Sequence, residues 1–168
     1  LIINPVPSND IQHVIEGDVK RLPFFGQWMT LELHDDEYLL WSSEDIACAF
    51  YVFSLERSWW KYFVIGKDVC RSWFNLGRGE PVKLAVCVVP MGWLSAVGVC
   101  QHIHRNVLQQ ARPGGAGLSQ DGELRRDARV PLDGCSRLTD WYQIYIDNYD
   151  AGSVTTEAEL AAKRERLV

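Results

Sequence analysis

The sequence predicts an α+β fold, in which an antiparallel sheet carries helices on one face. Segments with the composition of strands and segments with the periodicity of helices follow no regular strand–helix–strand rhythm, which argues against a parallel sheet. The chain has 168 residues, of which 47% are apolar and 23% are charged. A chain of this size and composition buries one core and is too short for two domains of ordinary size.

An irregular segment followed by strands is expected in the first half of the chain. Residues 1–28 are rich in turn-forming Asn, Pro, Gly and Asp. Ile46–Phe53 is a continuous apolar run, which is compatible with a helix or with a strand. Alternating patterns and β-branched or aromatic composition predict four strands, the first two joined by a turn at residues 34–37. These strands are Met29–Leu33, Tyr38–Trp41, Tyr62–Ile65 and Val82–Val89, the last two buried.

A helix followed by a long loop is expected in the middle of the second half. Ser95–Ala111 is predicted as a helix because Ser95 can cap it and Arg112-Pro113-Gly114-Gly115 ends it. Residues 112–139 contain five Arg and little apolar periodicity, so we expect a loop or insertion there. The predicted apolar stripe of the helix consists of Ala96, Cys100, Ile103 and Val107.

A strand and a second helix are expected near the C-terminus. Trp141–Ile146 alternates as a strand that ends at Asp147. Thr155–Leu167 is rich in Ala and charged residues and is predicted as a helix with Thr155 or Thr156 as its cap. The three elements of this half therefore place a strand between two helices, as an α+β fold allows.

The charge balance and the cysteines restrict the class of protein. The formal net charge is −5 and the pI is about 5.3, whereas free-standing nucleic-acid-binding proteins are usually basic. The five cysteines are an odd number without a Cys-x-x-Cys pair, which is typical of reduced thiols in an intracellular protein of the cytoplasm or nucleus. No apolar window of about 18 residues and no signal peptide is visible, so we expect no membrane association.

Two aspartates at the ends of apolar segments are candidate metal ligands. Asp45 precedes the apolar run Ile46–Phe53, and Asp147 follows the predicted strand Trp141–Ile146. Carboxylates brought together at strand ends provide the hard oxygen ligands that Mg²⁺ prefers. Two such ions about 3.5–4 Å apart can activate a hydroxyl and stabilise a leaving pyrophosphate. The alternative is that each aspartate is a turn residue or a helix cap.

Three segments in the same order resemble motifs of reverse transcriptases. Asp45-Ile46-Ala47-Cys48-Ala49-Phe50-Tyr51, continuing through Leu55 to Lys61-Tyr62-Phe63, resembles the first catalytic motif of that family. Val89-Pro90-Met91-Gly92-Trp93-Leu94-Ser95 resembles its Leu-Pro-Gln-Gly-x-x-x-Ser segment. Tyr145-Ile146-Asp147-Asn148 resembles its Tyr-x-Asp-Asp box. The resemblance covers residues 40–150 approximately, with 112–139 as an insertion.

The resemblance implies a fold and an activity. The fold would be the palm of a right-hand polymerase, a ferredoxin-like antiparallel sheet with helices on one face. Residues 1–28 would be a partial fingers segment, 29–150 the palm-like catalytic core, and 151–168 a C-terminal helix. The activity would be that of a retrotransposon RNA-directed DNA polymerase, a nucleotidyltransferase that extends a DNA primer on an RNA template from deoxynucleoside triphosphates with two Mg²⁺ ions.

The resemblance also implies roles for individual residues. Asp45 and Asp147 would hold the two Mg²⁺ ions, with Asn148 as the third catalytic position. Phe50 falls where the family keeps an aromatic residue that excludes the 2′-hydroxyl of ribonucleotides. The backbone N–H groups after Asp45, beginning at Ile46, are expected to contact the triphosphate. The floor under the incoming nucleotide would consist of Pro90, Met91 and Gly92.

Two substitutions depart from the family pattern and leave a second function open. Met91 replaces the usual Gln, so a hydrogen bond is lost there. Asn148 replaces the second Asp and offers a carbonyl oxygen without a charge, although some viral RNA polymerases use Asp-Asn at this box. The alternative function is a catalytically decayed palm that acts as an interaction or structural module. An unrelated α+β binding domain is a third possibility.

The chain is expected to be part of a longer polyprotein, because it begins with Leu1 in an apolar run. The resemblance implies fingers residues that grip the triphosphate before Leu1, and a thumb, an RNase H domain and an integrase after Val168. The isolated chain is therefore expected to be inactive in polymerisation, since positioning of the substrates supplies much of the catalysis of such reactions.

Overall fold

The computed structural model describes residues 5–110 and 117–165 and has the α+β composition predicted from the sequence. The strands are β1 (Glu37–Asp45), β2 (Val64–Val69), β3 (Val82–Ala85), β4 (Asp140–Tyr145) and β5 (Asn148–Thr156). The helices are α1 (Val6–Asn9), α2 (Ala49–Val52), α3 (Ala96–Gln109) and α4 (Glu157–Glu165). Short 3₁₀ helices cover Val19–Arg21, Phe25–Thr30, Arg57–Tyr62, Arg71–Phe74 and Gln120–Gly122.

The main sheet is antiparallel and has the strand order β1-β5-β4. Strand β5 pairs with β1 along its whole length, from Glu37 opposite Thr156 to Asp45 opposite Asn148. Strands β4 and β5 form a hairpin whose loop consists of Ile146 and Asp147. Strands β2 and β3 form a separate antiparallel hairpin.

The two faces of the main sheet have different neighbours. Residues directly opposite each other share a face, so Trp41, Gly152 and Trp141 lie on one side. The Trp28 ring packs on this side, with its centroid 4.4 Å from that of Trp141 and 4.5 Å from that of Trp41. Helix α3 covers the other side, where the Gln109 side chain donates to the Tyr142 hydroxyl at 3.1 Å.

Two clusters of buried side chains form the core. The larger one surrounds the first half of α3, and partly buried Ile46, Phe50 and Ile146 pack against it. Its buried members are Ala49, Phe53, Phe63, Val89, Trp93, Ala96 and Cys100. The smaller cluster consists of Leu124, Leu138 and Trp141 and lies on the tryptophan side of the sheet.

The strand prediction for Met29–Leu33 is wrong. Residues Phe25–Thr30 form a 3₁₀ helix instead, because the Trp28 ring packs against the sheet and the carbonyl of Thr30 accepts a hydrogen bond from the backbone of Leu138. The Tyr38–Trp41 prediction falls within β1, which continues through polar residues to Asp45. The Ile46–Phe53 run contains the short helix α2 rather than a strand.

Other predicted elements are confirmed in type and corrected in detail. Strands β2 and β3 overlap the predictions for Tyr62–Ile65 and Val82–Val89, but both are largely exposed rather than buried. Strand β5 was not predicted, and it crosses the boundary placed at residue 150, so the C-terminal helix begins at Glu157 rather than at 151. Thr156 caps α4 as expected, since its hydroxyl accepts from the Glu159 backbone at 3.4 Å. Residues 166–168 of the predicted helix lie outside the described residues, as do residues 1–4 of the predicted fingers segment.

Helix α3 confirms the predicted helix and most of the predicted stripe, but its buried face extends to polar residues outside that stripe. Ala96 and Cys100 are buried and Ile103 is partly buried, whereas Val107 is 49% exposed. Besides Gly98, the other buried residues of the helix are Gln101, His104 and Arg105. The predicted last residue Ala111 and the helix stop at 112–115 lie outside the described residues.

The predicted insertion at residues 112–139 is described from residue 117 onward. It contains a 3₁₀ helix and an isolated bridge, in agreement with an irregular segment. Leu124 and Leu138 nevertheless belong to the core, and Glu123 forms a buried ion pair with Arg105 at 2.7 Å. The segment is therefore part of the packed structure.

Two further expectations concern the state of the cysteines and the presence of membrane-spanning helices. All five cysteines lie within the described residues and are free, with Cys100 buried and the other four exposed. Among the described residues, no helix is long and apolar enough to cross a membrane.

A salt bridge at the start of β1 predicts a pH dependence of stability. The Arg137 guanidinium donates to both oxygens of Glu37 at 2.9 and 3.0 Å, and the His34 backbone donates to the same carboxylate at 2.8 Å. These hydrogen bonds, that from Arg137 foremost, lower the pKa of Glu37 from 4.5 to about 2. Between these pH values the unfolded chain binds more protons at Glu37 than the folded protein does. The stabilisation by the Glu37–Arg137 salt bridge is therefore complete above the unfolded pKa and is lost as the pH falls toward 2.

We therefore expect the stability difference between the parent protein and Glu37→Gln to be constant above pH 5 approximately and to shrink as the pH approaches the folded pKa. Urea denaturation across this pH range measures it. The variant Arg137→Gln should lose the same part of the pH dependence. If this pH dependence of stability persists in Arg137→Gln, it arises from carboxylates other than Glu37.

The close contact of the Trp141 ring with Gly152 predicts a second effect on stability. A Cβ added at Gly152 would lie 2.5 Å from the ring, so Gly152→Ala should destabilise the fold by about 1–3 kcal/mol. Gly66→Ala in β2 is the matched control, since its added Cβ meets no described atom within 4 Å. Equal effects of the two substitutions on the urea denaturation midpoint would contradict this account.

Candidate functional site

The end of the main sheet brings the two candidate aspartates together. Asp45 is the last residue of β1 and lies opposite Asn148, the first residue of β5. Asp147 immediately precedes Asn148 in the hairpin loop, and its carbonyl accepts a hydrogen bond from the Ile46 backbone at 3.0 Å. The chain thus places both aspartates at one sheet end, although they are distant in sequence.

Both aspartates line one cavity of about 350 Å³. This volume is within the range of small-ligand sites, which begins at about 300 Å³. Burial, together with the charge of Glu44, raises the pKa of the Tyr149 hydroxyl in its wall. The lining residues are Glu44, Asp45, Ile46, His104, Leu108, Gln110, Gly117, Leu118, Asp147 and Tyr149.

The hairpin loop that carries Asp147 has a strained backbone. Two-residue hairpin loops require a positive φ at their first residue, and Ile146 supplies it with φ 59°. A β-branched residue rarely adopts this conformation, and the strain is on the order of 1–3 kcal/mol. Such strain persists where the surrounding structure determines the conformation.

Helix α3 supplies the contacts that hold this loop. The Gln101 side chain accepts a hydrogen bond from the Ile146 backbone at 2.7 Å and donates one to the Ile144 carbonyl at 2.8 Å. His104 Nδ1 lies 3.0 Å from the Ile146 carbonyl. Gln101 is fully buried, so these hydrogen bonds have no competition from water. We refer to Gln101 and His104 as the loop clamp.

The surroundings of Asp147 combine a charge with a buried thiol. The Asn148 amide donates to Asp147 Oδ1 at 3.4 Å. Burial, followed by the charge of Asp147, raises the pKa of the Cys100 thiol to about 11. Burial therefore favours the protonated thiol of Cys100 over the thiolate, which is the nucleophilic form.

The segment after Asp45 is already occupied by internal hydrogen bonds. The Ile46 N–H donates to Asp147, and the Ala49 N–H donates to the Ile46 carbonyl at 3.1 Å. The Ile46 N–H is thus engaged within the sheet end, although Ile46 lines the cavity, and its contact with a triphosphate stays a prediction. Cys48 has φ 57°, a left-handed turn that starts α2.

The other predicted nucleotide-binding residues do not line the cavity that holds the aspartates. Phe50 packs against the larger core cluster. Pro90 is buried and Met91 is 63% exposed. Gly92 has φ 90°, and the Asn9 side chain bridges its carbonyl and the Leu94 N–H at 3.0 and 2.9 Å.

The donor set of the site is compatible with Mg²⁺ that binds together with substrate phosphates. Asp45, Asp147 and the Asn148 amide offer hard oxygen atoms, and Mg²⁺ is commonly bound by one or two carboxylates plus phosphates. Among the described residues, no group of three His, Cys, Asp or Glu side chains is arranged to hold a metal ion. A metal cage made by the protein side chains alone is therefore not found among the described residues.

The sequence reasoning missed the loop clamp and the cavity wall. Gln101 and His104 are three residues apart on the predicted helix, so they share one face of it. The sequence signal that could have identified them is that both polar residues adjoin the predicted apolar stripe of this helix. Glu44, which precedes Asp45 in the sequence, also lines the cavity.

Comparison of the chain with protein-family models, with curated proteins and with solved structures finds no match. The interpretation of the site therefore depends on its residues and their geometry. The strongest elements of that geometry are the two aspartates at one cavity and the loop clamp behind them.

The loop clamp generates a prediction about stability. Gln101→Met keeps the side-chain volume approximately but leaves the Ile146 N–H and the Ile144 carbonyl without partners, so we expect a loss of about 2–5 kcal/mol. Val107→Ala on the exposed face of α3 should change stability by less than about 0.5 kcal/mol. Urea denaturation measures both variants. Amide exchange at Ile146 should also accelerate in Gln101→Met, and an unchanged exchange rate would exclude the clamp.

Proposed function

We propose that this chain is the palm of an RNA-directed DNA polymerase, and that its substrates are deoxynucleoside triphosphates and a primer paired with an RNA template. The observation that carries the proposal is the convergence of Asp45 and Asp147 on one cavity. The resemblance to reverse transcriptases selected these two residues as the metal ligands before their geometry was considered.

The order of the elements supports the proposal. Strand β1 ends at Asp45, helix α3 follows the Val89–Ser95 segment, and the β4–β5 hairpin carries Asp147. All three motif segments also contribute to the larger core cluster, the first through Ala49, the second through Val89 and Trp93, and the third through Ile146. An accidental resemblance of three short motifs would not require them to pack together.

In the proposed mechanism, Asp45 and Asp147 would hold Mg²⁺ that arrives with the nucleotide, because both carboxylates line the cavity. When bound, the metal would activate the primer hydroxyl and stabilise the leaving pyrophosphate. The Asn148 amide hydrogen bond orients the Asp147 carboxylate. Gln101 and His104 are positioning residues, since they fix the backbone on which Asp147 is carried.

A palm without catalytic activity is the second candidate function, and Asn148 favours it. The family places a second aspartate at this position, and Asn148 brings no negative charge to the site. The reduced charge weakens metal binding, because cation affinity increases with the number of anionic ligands. In this case the fold would be retained as an interaction or structural module.

Binding of a magnesium–nucleotide complex tests the metal assignment in the chain itself. We expect Mg²⁺ and a deoxynucleoside triphosphate to bind together in calorimetry, and Asp45→Asn or Asp147→Asn to weaken this binding at least about tenfold. Asp36→Asn, in the turn before β1 at the opposite end of that strand, is the charge-matched control and should bind as the parent does. Equal weakening in Asp36→Asn would mean that general charge, rather than the site, determines binding.

Primer extension on an RNA template tests the activity, in a polypeptide that restores the flanking segments expected from the resemblance. Asp147→Ala should reduce the rate at least about 100-fold, because it removes a ligand of the metal that stabilises the transition state. Restoration of the second aspartate by Asn148→Asp should retain or raise the activity. Absence of extension from both the parent and Asn148→Asp would support the non-catalytic palm.

A further inference from the structure

The tip of the β2–β3 hairpin exposes aromatic and cationic side chains together. Trp73 is 70% exposed and Phe74 is 45% exposed, which is unusual for rings of this size. Arg71 and Arg78 flank them in sequence. We refer to residues 70–79 as the hairpin tip.

The hairpin is cationic within an acidic chain. Between residues 64 and 85 there are four Lys and Arg and two Asp and Glu, whereas the whole chain has a net charge of −5. Asp68 pairs with Lys83 at 3.0 Å on the strands, so this acid is neutralised away from the tip. The loop between the two strands therefore carries Arg71 and Arg78 against one acid, Glu80, and both arginines lie within the hairpin tip.

The tip encloses a concave site of about 590 Å³. Arg71 and Arg78 both line it, and no acidic residue does. Arg71 Nε donates to the Gly77 carbonyl at 3.1 Å, which fixes the orientation of this guanidinium group before any ligand binds. Its lining residues are Cys70, Arg71, Ser72, Asn75, Leu76, Gly77, Arg78 and Gly79.

We propose that the hairpin tip binds single-stranded nucleic acid. Trp73 and Phe74 would stack on unpaired bases, and Arg71 and Arg78 would pair with phosphates, the combination on which sequence-tolerant single-strand binding depends. The aromatic faces supply affinity for any base, and the planar guanidinium groups match phosphate geometry. The proposal does not rest on the polymerase function, because β2 and β3 form a sheet separate from the one that carries Asp45.

An anionic membrane surface is the competing partner for exposed tryptophan and arginine. Membrane-inserting segments present a continuous apolar face with the charges on the opposite side. At the hairpin tip, polar Ser72 and Asn75 flank the adjacent aromatic pair, and both arginines line the concave site. An aromatic pair next to cationic and polar residues favours a ligand that carries both apolar rings and anionic groups, as bases and phosphates do.

Fluorescence anisotropy with labelled 12-nucleotide single strands, of RNA and of DNA, tests the proposal. EDTA is present and nucleotides are absent, so that the measurement reports the hairpin and not the cavity of Asp45 and Asp147. We expect Trp73→Ala to weaken binding about tenfold. Arg78→Gln should lower the slope of log affinity against log salt by about 0.7. Thermal melting confirms that each variant folds.

Two control substitutions remove an exposed aromatic ring and an exposed cation outside the hairpin tip. Phe25→Ala removes an aromatic ring that is 86% exposed, and Arg129→Gln removes an exposed cation from the segment after residue 117. Both should bind the oligonucleotides as the parent does. The proposal is overturned if the controls weaken binding as much as the tip variants do. It is also overturned if the parent binds phosphatidylserine vesicles but neither oligonucleotide.

Discussion

The hydrogen bonds from Gln101 to the backbone of Ile144 and Ile146 are the interaction on which the arrangement of the site depends. They hold a β-branched residue at φ 59°, a conformation that an isolated hairpin with Ile at this position would avoid. Once that turn is fixed, the carbonyl of Asp147 reaches the Ile46 N–H at the end of β1. The pairing of Asp45 with Asn148 places Asp147 at the same sheet end as Asp45, and a neutral amide on the helix behind the sheet holds the loop that carries it.

Helix α3 can serve as this support because its polar face is held from several sides. Arg105 pairs with Glu123 of the irregular segment at 2.7 Å and lies 3.7 Å from Asp18 of the N-terminal segment. Gly98 allows that N-terminal segment to approach closely, since its carbonyl accepts from the Asp18 backbone at 3.1 Å. Buried ion pairs contribute little net stability, because desolvation offsets their attraction, but removal of one partner leaves an uncompensated charge. The network thus acts mainly to define one register of the helix against its neighbours.

The sequence allowed the α+β class and helix α3 to be predicted, because both depend on local patterns, whereas the approach of the two aspartates was expected from the order of the three motifs that carry the resemblance. It did not allow the tertiary determinants to be predicted. The 3₁₀ helix around Trp28 replaces a predicted strand because the ring packs on Trp41 and Trp141, which are remote in sequence. The buried polar face of α3 was missed because the periodicity of apolar residues does not report buried polar ones. Arg105 can be buried because its guanidinium group pairs with the Glu123 carboxylate. The nucleotide-floor residues Pro90–Gly92 were taken from the resemblance alone, and their location depends on contacts with the N-terminal segment such as that of Asn9.

The net charge of −5 was an argument against nucleic acid as a partner. The distribution of the charges over the molecule weakens this argument. A site that uses Mg²⁺ needs carboxylates, and Glu44, Asp45 and Asp147 at the cavity each add to the negative total. The cations lie elsewhere, and at the hairpin tip they accompany exposed aromatic rings. Phosphate contacts are made by local clusters within about one Debye length, 8–10 Å at moderate salt, so the sum over the whole chain has little bearing on them. The low pI of the chain is therefore compatible with both proposals, the metal–nucleotide site at the cavity and the single-stranded nucleic-acid site at the hairpin tip.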